Sequence, residues 1–364
     1  MNPTPSSTLN DLLPWARGGR PQRLPSEQDR RVVRSTWKKS DGYQRAELGS
    51  LLAQMQAARQ DYEAATTTIQ RSRTQLKGDL PKAHALLDWA HTTVLLQQGQ
   101  LQESRKSFAA LQRRLSSLSA WADLAPMCLN RSRQMLVRGD YDEAAILAHN
   151  ARIHAERSDC SEIIVEALSV SCEIALSRGK HREAELHHRK MADIATENAS
   201  RNRDGLLLVA LNASSLSMTR GLFQQSQKQL LGLEIDPNPL LQLTLNQRMA
   251  ELHLRQGQLK EAELCVRKVL SALEAFGQRA ALGVGLRMLG DIQALLLEPS
   301  LAIDSYILAL QAGCLCSDFH NAKQACSRIM LLESFDPLRP RTIQFSAILQ
   351  DLEELTAPTF ELTR

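Results

Sequence analysis

Apolar residues recur along most of this chain at the three- and four-residue spacing that marks one face of an α-helix. In one clear stretch, Leu96 precedes a glycine, and Phe108, Leu111 and Leu115 follow it. Helix-compatible sequence stands on both sides of that glycine, Gly99, as LLDWAHTTVLLQQG up to it and ESRKSFAALQRRL after it. The pattern predicts pairs of helices joined by tight turns, and therefore an all-α chain.

The helix pairs form an internal repeat, which pieces similar to GDYDEA at residues 139–144 reveal. Each piece begins with glycine or a substitute, and it closes five residues later on alanine or serine, at steps of 39, 40, 40, 42, 36 and 40 residues. We expect the glycines to end the first helix in the left-handed conformation. The recurring glycines include Gly99, Gly139, Gly179, Gly221 and Gly257, and the closing residues are Ala65, Ser104, Ala144, Ala184, Ser226, Ala262 and Ala302.

A second set of positions supports the same period. Twelve residues before each closing residue stands a small residue, and a small residue on each helix lets the two helices cross closely. The unit is therefore helix, tight turn, helix, about 40 residues long. The seven small residues are Ala53, Thr92, Ser132, Cys172, Ser214, Ala250 and Gly290.

These pieces resemble the tetratricopeptide repeat, whose second helix opens with G-D-Y-x-E-A, as residues 139–144 do. LRMLGDI at residues 286–292 is similar to the family's first-helix pattern, and LEIDPN at residues 233–238 to its closing one. The period is more like that of the longer repeats in maltose-regulator-type sensor arms. The resemblance implies an all-α, right-handed superhelical solenoid of about seven to eight repeats, and it implies architecture more than activity.

Three regions follow from the repeat boundaries. Residues 1–45 form a basic, partly disordered segment, in which positions 1–25 are expected to be mostly disordered and EQDRRVVRSTWKK to form a short helix. Residues 46–357 form the solenoid, which includes a degraded eighth unit with helices at 321–334 and 341–357. Residues 358–364 are a C-terminal tail.

The family's concave groove implies where a partner would bind. Positions 5 and 9 of each first helix would line it, and Trp89 would anchor a partner if it were exposed. The alternative is that Trp89 packs between neighbouring repeats. Ser50 and Gln54 lead the groove, so the Lys/Asn pattern that holds chaperone tails is missing there. The candidate groove residues are Trp89, Arg133, Glu173, Gln247, Glu251, Arg287 and Asp291.

Charge adds one candidate for nucleic acid. The net charge is +4, and residues 1–45 carry nine Lys and Arg against four acids, so the rest of the chain is nearly neutral. Nucleic-acid binding is not expected, and the one candidate is the segment from Arg30 to Lys39, which is either a cap helix or a binding arm. No apolar run approaches the length of a membrane helix.

The residues do not indicate an enzyme, a metal or a cofactor. The chain has no phosphate-binding loop, no G-x-S-x-G and no H-E-x-x-H. Cys314, Cys316 and His320 form C-x-C-x3-H, which lacks the paired knuckles of a structural zinc site. A metal or redox role there stays open as an alternative. The seven cysteines are expected to be reduced thiols of a cytoplasmic protein.

Together these observations predict a non-catalytic scaffold that binds a segment of a partner protein in its groove. The alternative is the sensory arm of a regulatory system, responsive to a peptide or small molecule and acting on a separate effector protein. The sequence leaves the partner's identity and the oligomeric state open.

Overall fold

Packed helices make up the molecule. The computed structural model describes residues 11–18, 25–78, 80–198, 203–231, 239–276 and 278–333, with a few single positions besides. This part of the chain contains seventeen helices and no strand, and from the second helix onward each one packs on the next. The predicted all-α solenoid is therefore confirmed. The helices are α1 Leu13–Ala16, α2 Glu27–Lys39, α3 Gly42–Ala58, α4 Tyr62–Gln75, α5 Pro81–Gln97, α6 Leu101–Ser117, α7 Trp121–Val137, α8 Tyr141–Arg157, α9 Ser161–Ser177, α10 His181–Glu197, α11 Arg203–Thr219, α12 Phe223–Leu231, α13 Pro239–Arg255, α14 Leu259–Phe276, α15 Arg279–Leu295, α16 Pro299–Leu315 and α17 Phe319–Glu333.

Seven hairpins, from α3–α4 to α15–α16, correspond to the seven repeats. Helices α5 to α10 each have 17 residues. They begin at even intervals, at positions 81, 101, 121, 141, 161 and 181. A 17-residue helix is about 25 Å long, and a three-residue turn completes each half of the 40-residue period. The two irregular steps have local causes, since the longer connection after α10 gives 42 and the nine-residue α12 gives 36.

Each hairpin turn uses one residue with positive φ. Gly99 and Gly139 adopt φ of 80° and 76°, and Gln60 and Leu297 take the same place in the first and seventh hairpins, with φ of 69° and 62°. The amide of Gln100 then donates to the carbonyl oxygen of Leu95, 2.9 Å away. This 6→1 bond is the Schellman motif, which satisfies a carbonyl at the end of the helix. The expected left-handed helix ends are therefore confirmed.

The small residues meet where the two helices of a hairpin cross. All seven closing residues have 0% exposure, and the seven small residues twelve positions earlier are buried as well. The Ser132 hydroxyl donates to the carbonyl oxygen of Ala144 at 2.7 Å, and the Ser214 and Ser226 hydroxyls are 2.7 Å apart. A larger side chain at these positions would force the helices apart, which explains why the repeat keeps them small.

The array begins with α2, which has the bounds expected for the short basic helix. Ser26 and Asp29 form a capping box at its start. Val33 and Trp37 are buried, in a cluster with Leu48 and Leu52 of α3, and the Trp37 indole donates to Ser72 Oγ at 3.0 Å. Because Trp37 is buried, it is not available to stack on a base, and α2 serves as a cap on the first hairpin.

The eighth unit is described only in part. Helix α17 is its first helix and covers most of the expected range 321–334, beginning two residues earlier. The second helix expected at 341–357, the LEIDPN motif after Leu233, and the tail at 358–364 lie outside the described residues.

Two glycines of α15 offer a matched test of the close crossing. A Cβ on Gly290 would lie 2.6 Å from Cε1 of Tyr306. That ring is buried and held by a 2.8 Å hydrogen bond to Asp291 Oδ1. A Cβ on Gly285 would instead meet Cδ2 of Leu270, the end of a flexible side chain. We expect Gly290→Ala to lower the free energy of unfolding by about 1–2 kcal/mol, because overpacking outweighs the better helix propensity.

The control is Gly285→Ala, which gains the same helix propensity and should leave stability unchanged or slightly higher. Urea unfolding followed by circular dichroism measures both variants. Equal stability of the two would contradict a fixed crossing at Gly290.

Candidate interaction groove

The inner face of the solenoid encloses a cleft of about 470 Å³. The first helices of five hairpins and α17 contribute most of its lining, which agrees with a concave face built from first helices. Four of the seven predicted groove residues line it: Glu173, Gln247, Glu251 and Arg287. These four residues lie in the C-terminal half of the array, and their role in binding a partner stays a prediction.

Salt bridges within the cleft pair most of its charges. Arg248 of α13 contacts Glu173 of α9 at 2.9 Å, across the intervening α11. Arg248 also lies 3.8 Å from Glu251, which Arg255 contacts at 2.8 Å. Sequence reasoning missed Arg248, because it stands one residue beyond the groove position held by Gln247. The link between α9 and α13 shows how tightly the inner face curls.

The remaining predicted charges have partners beside the cleft. Arg287 Nε donates to Asn321 Oδ1 at 3.0 Å, and burial lowers the pKa of Arg287. Asp291 accepts hydrogen bonds from Tyr306 and Arg328. Arg133 pairs with Glu166 of α9. These side chains join neighbouring repeats. A ligand that bound them would therefore have to replace their present partners.

Trp89 is not exposed in the groove. Its relative exposure is 1%, and its ring meets Phe108 edge to face with centroids 6.2 Å apart. An exposed anchor at Trp89 is therefore ruled out in this conformation, and the alternative of packing is what the structure shows. Position 5 is buried in each of the first five hairpins, at no more than 4% exposure, in Ser50, Trp89, Leu129, Ser169 and Leu211.

A segment of the chain itself covers the N-terminal half of the concave face. The hydroxyl of Ser50 donates to the carbonyl oxygen of Ala16 at 2.9 Å, and the Gln54 amide donates to that of Trp15 at 3.3 Å. Leu12 is fully buried and Trp15 is 6% exposed. The expectation that positions 1–25 are mostly disordered is thus wrong for residues 11–18. The sequence signal was the apolar cluster LLPWA, which is too short to give a helical period.

The same segment continues across the groove toward α7. Arg17 forms a salt bridge with Glu47 of α3. Gly18 packs against Met127 of α7, since a Cβ on Gly18 would lie 2.7 Å from the Met127 side chain. Residues 11–18 therefore reach from the first hairpin to the third. We call these eight residues the resident segment.

The end of the seventh hairpin contacts the second and third hairpins through Arg138. Its guanidinium donates to the carbonyl oxygens of Leu96, at 3.0 Å, and of Cys316. These carbonyls belong to the C-terminal ends of α5 and α16, where a positive charge is favourable. The Ser317 hydroxyl also donates to the carbonyl oxygen of Gly99 at 2.8 Å. These contacts close one edge of the cleft, and no sequence period could reveal them because they join residues 178 and 218 positions apart.

The acidic cluster in the third hairpin is structural. Asp140 accepts a hydrogen bond from the amide of Glu143 and caps α8. Arg105 contacts both carboxylates, at 2.6 and 2.7 Å, and Arg131 contacts Glu143 at 3.2 Å. Arg131 is 1% exposed and lies 5.0 Å from the centre of the Phe108 ring. The cluster ties the second hairpin to the third.

The cysteines near α17 differ in their exposure. Cys314 is exposed, whereas Cys316 and Cys326 are buried, and burial raises the pKa of Cys326 to about 11. Across the described ranges, no group of three or more His, Cys, Asp or Glu residues could hold a metal ion. None of the seven cysteines forms a disulfide.

Comparison with known proteins adds no family to this picture. No family model matches the sequence, and none of the curated proteins matches it either. A membrane-spanning helix would need a longer apolar stretch than any helix within the described residues possesses.

Arg138 and Arg178 occupy the same repeat position, one residue before the turn glycine, and so form a matched pair. Within the described part of the chain, Arg178 forms a salt bridge with Asp142, whose side chain is 93% exposed. We expect Arg138→Ala to lower the free energy of unfolding by about 1–3 kcal/mol, because it leaves two helix-end carbonyls without their cation. It should also raise the radius of gyration in small-angle X-ray scattering.

Arg178→Ala should change stability by no more than about 0.5 kcal/mol, since its partner is a surface carboxylate. Closure by Arg138 would be refuted if both variants kept the wild-type radius of gyration and stability.

Burial lowers the pKa of four histidines, His91, His154, His187 and His188. The unfolded chain therefore binds protons more readily than the folded one below the unfolded pKa of about 6.5. We expect the free energy of unfolding to fall between pH 7.5 and pH 5.5, above the range in which carboxylates titrate. Urea unfolding at the two pH values measures this change.

The double variant His154→Gln and His188→Gln should lose less stability over the same pH range, because two of the four groups are removed. Stability that is equal or higher at pH 5.5 in the wild type would contradict the expected sign.

Proposed function

We propose that this chain is a non-catalytic interaction scaffold of the tetratricopeptide type, which binds a segment of a partner protein on its concave face. One observation carries the proposal. Ser50 and Gln54 donate hydrogen bonds to the main-chain carbonyls of the resident segment. Every peptide offers such carbonyls, so side chains at this place can bind the main chain of another segment.

The cleft supports the same function in the C-terminal half of the array. Arg248 pairs with Glu173 and Glu251 at 2.9 and 3.8 Å, and Arg255 balances the second carboxylate at 2.8 Å. A partner that carries charges of both signs could replace these internal pairs with pairs of its own. Binding of that kind selects partners by charge pattern.

The thiols also favour a role without chemistry at cysteine. Burial raises the pKa of Cys128 and of Cys172 to about 12, so both stay protonated and unreactive near neutral pH. Seven cysteines without a disulfide in one chain are typical of a reducing compartment, and they support the proposal of a cytoplasmic protein.

The alternative function, a sensory arm, has support from the closed edge of the cleft. Arg138 joins the ends of α5 and α16, and a peptide or small molecule that bound the cleft more tightly when open would shift the array away from this closure. The effector would then be a separate protein that recognises the opened form.

Affinity capture with paired groove and outer-surface variants tests the scaffold. The groove variant is Gln247→Arg with Glu251→Arg, both on the cleft lining of α13. The control is Gln225→Arg with Glu263→Arg, which makes the same charge changes on the second helices α12 and α14. We expect the groove variant to lose about tenfold or more of a co-purifying protein, because bringing like charges together costs several kcal/mol, and we expect the control to keep it.

Quantitative mass spectrometry of the captured proteins supplies the measurement, and thermal melts establish that both variants fold. If the two variants retained every captured protein equally, the cleft would not be the binding surface.

A further inference from the structure

The resident segment presents a defined set of groups to the groove. Leu12, Trp15 and Ala16 are buried with exposures of 0%, 6% and 0%. The next residue, Arg17, points its guanidinium at Glu47. The pattern is an apolar residue, two intervening residues, a tryptophan, a small residue and a cationic residue.

The groove matches this pattern group by group. Leu48, Leu51 and Met55 of α3 form one apolar cluster with the buried residues of the segment. Ser50 and Gln54 of the same helix supply the donors to its main chain. One helix thus provides an apolar floor and two hydrogen-bond donors.

Glu47 in the groove requires a cationic group from whichever segment binds there. Glu47 is 6% exposed, and Arg17 is its salt-bridge partner. Asp123 of α7 also lies near enough to Arg17 to act on it electrostatically. A buried carboxylate whose cation leaves is strongly destabilised. Any segment that replaces the resident one must therefore bring a basic group to the same place.

The attachment of the resident segment favours reversible occupancy. Its helix α1 has only four residues, with no side-chain cap at its start. Eight residues, 19–26, connect Gly18 to α2. A short tether holds a segment at an effective concentration on the order of millimolar. A partner of sufficient affinity can still compete with a segment held at that concentration.

We propose that residues 11–18 are an intramolecular occupant of the N-terminal half of the groove, and that the partner of this half is a protein segment with the pattern Leu-x-x-Trp-Ala-Arg or a close chemical equivalent. This inference rests on the proposed function, since it names the partner's chemistry. It adds that the partner binds by displacing the chain's own segment.

A fluorescent peptide of residues 9–18, LNDLLPWARG, tests the inference on the full-length chain. In the released variant, Leu12→Asp with Trp15→Ser, the resident segment can no longer fill the groove. Fluorescence anisotropy should show the peptide binding the released variant about tenfold or more tightly than the wild type, because the tethered competitor is lost. A control variant, Leu315→Asp, replaces a 60% exposed leucine of α16 that lies outside the apolar cluster of the segment, and it should bind as weakly as the wild type.

A charge exchange tests the recognition of the cation. In the released background, Glu47→Lys should weaken binding of the wild-type peptide, and a peptide with Arg17→Glu should recover it. A peptide with Trp15→Ala should bind neither protein. If the released variant melts below the wild type, Arg17→Glu in the full chain replaces it, since this change keeps both buried apolar side chains, and intermediate binding is expected.

Binding that is equal in the wild type and the released variants would overturn the inference, and so would equal binding of the Trp15→Ala peptide. If the apparent dissociation constant of the wild type changed with the total protein concentration, the segment would be exchanging between copies, which would overturn its intramolecular form. If the peptide results fail while the Gln247 and Glu251 variant still loses its captured protein, the inference fails and the scaffold function stands. If the peptide results hold and capture is unchanged, the binding surface is the N-terminal half alone.

Discussion

The close crossing of the two helices in each hairpin is the constraint on which the rest of this structure depends. In all seven hairpins a closing alanine or serine has no exposure, and the small residue twelve positions earlier is buried as well. This crossing fixes the distance between the helices, and 17-residue helices with three-residue turns then set the 40-residue period. Because each hairpin meets the next in nearly the same way, small rotations accumulate, and the array curls until α16 reaches α5 and α7.

The periodic features could be predicted from the sequence because each is repeated. Gly139 and Ala144 gain their meaning from the equivalent residues in other hairpins, and no single copy would have been sufficient. The basic helix α2 was predicted with the correct bounds, since Ser26 and Asp29 mark its start and Val33 and Trp37 supply its apolar face.

The contacts that close and fill the groove do not follow from the repeat pattern. Arg138 and Arg178 are equivalent in sequence, and only the curl of the whole array places a helix end near one of them. Trp89 occupies a position where the sequence allowed either an exposed anchor or a packed side chain, and position 5 is buried in five successive hairpins of this tightly curled array. The resident segment is too short to have a period, and the side chains that bind its carbonyls are distant in sequence, with separations of 34 and 39.

The turns at the two ends of the array carry a consequence for the order of folding. Gln60 and Leu297 adopt the left-handed conformation without the freedom of glycine, at a cost of about 1–2 kcal/mol each. The five hairpins between them have glycine at the same place. In an array whose stability is a sum over units and their interfaces, the units of lowest intrinsic stability join last. We therefore expect nucleation to favour the central hairpins, and we expect the surfaces that hold the resident segment and the Arg138 closure to form after folding has spread outward.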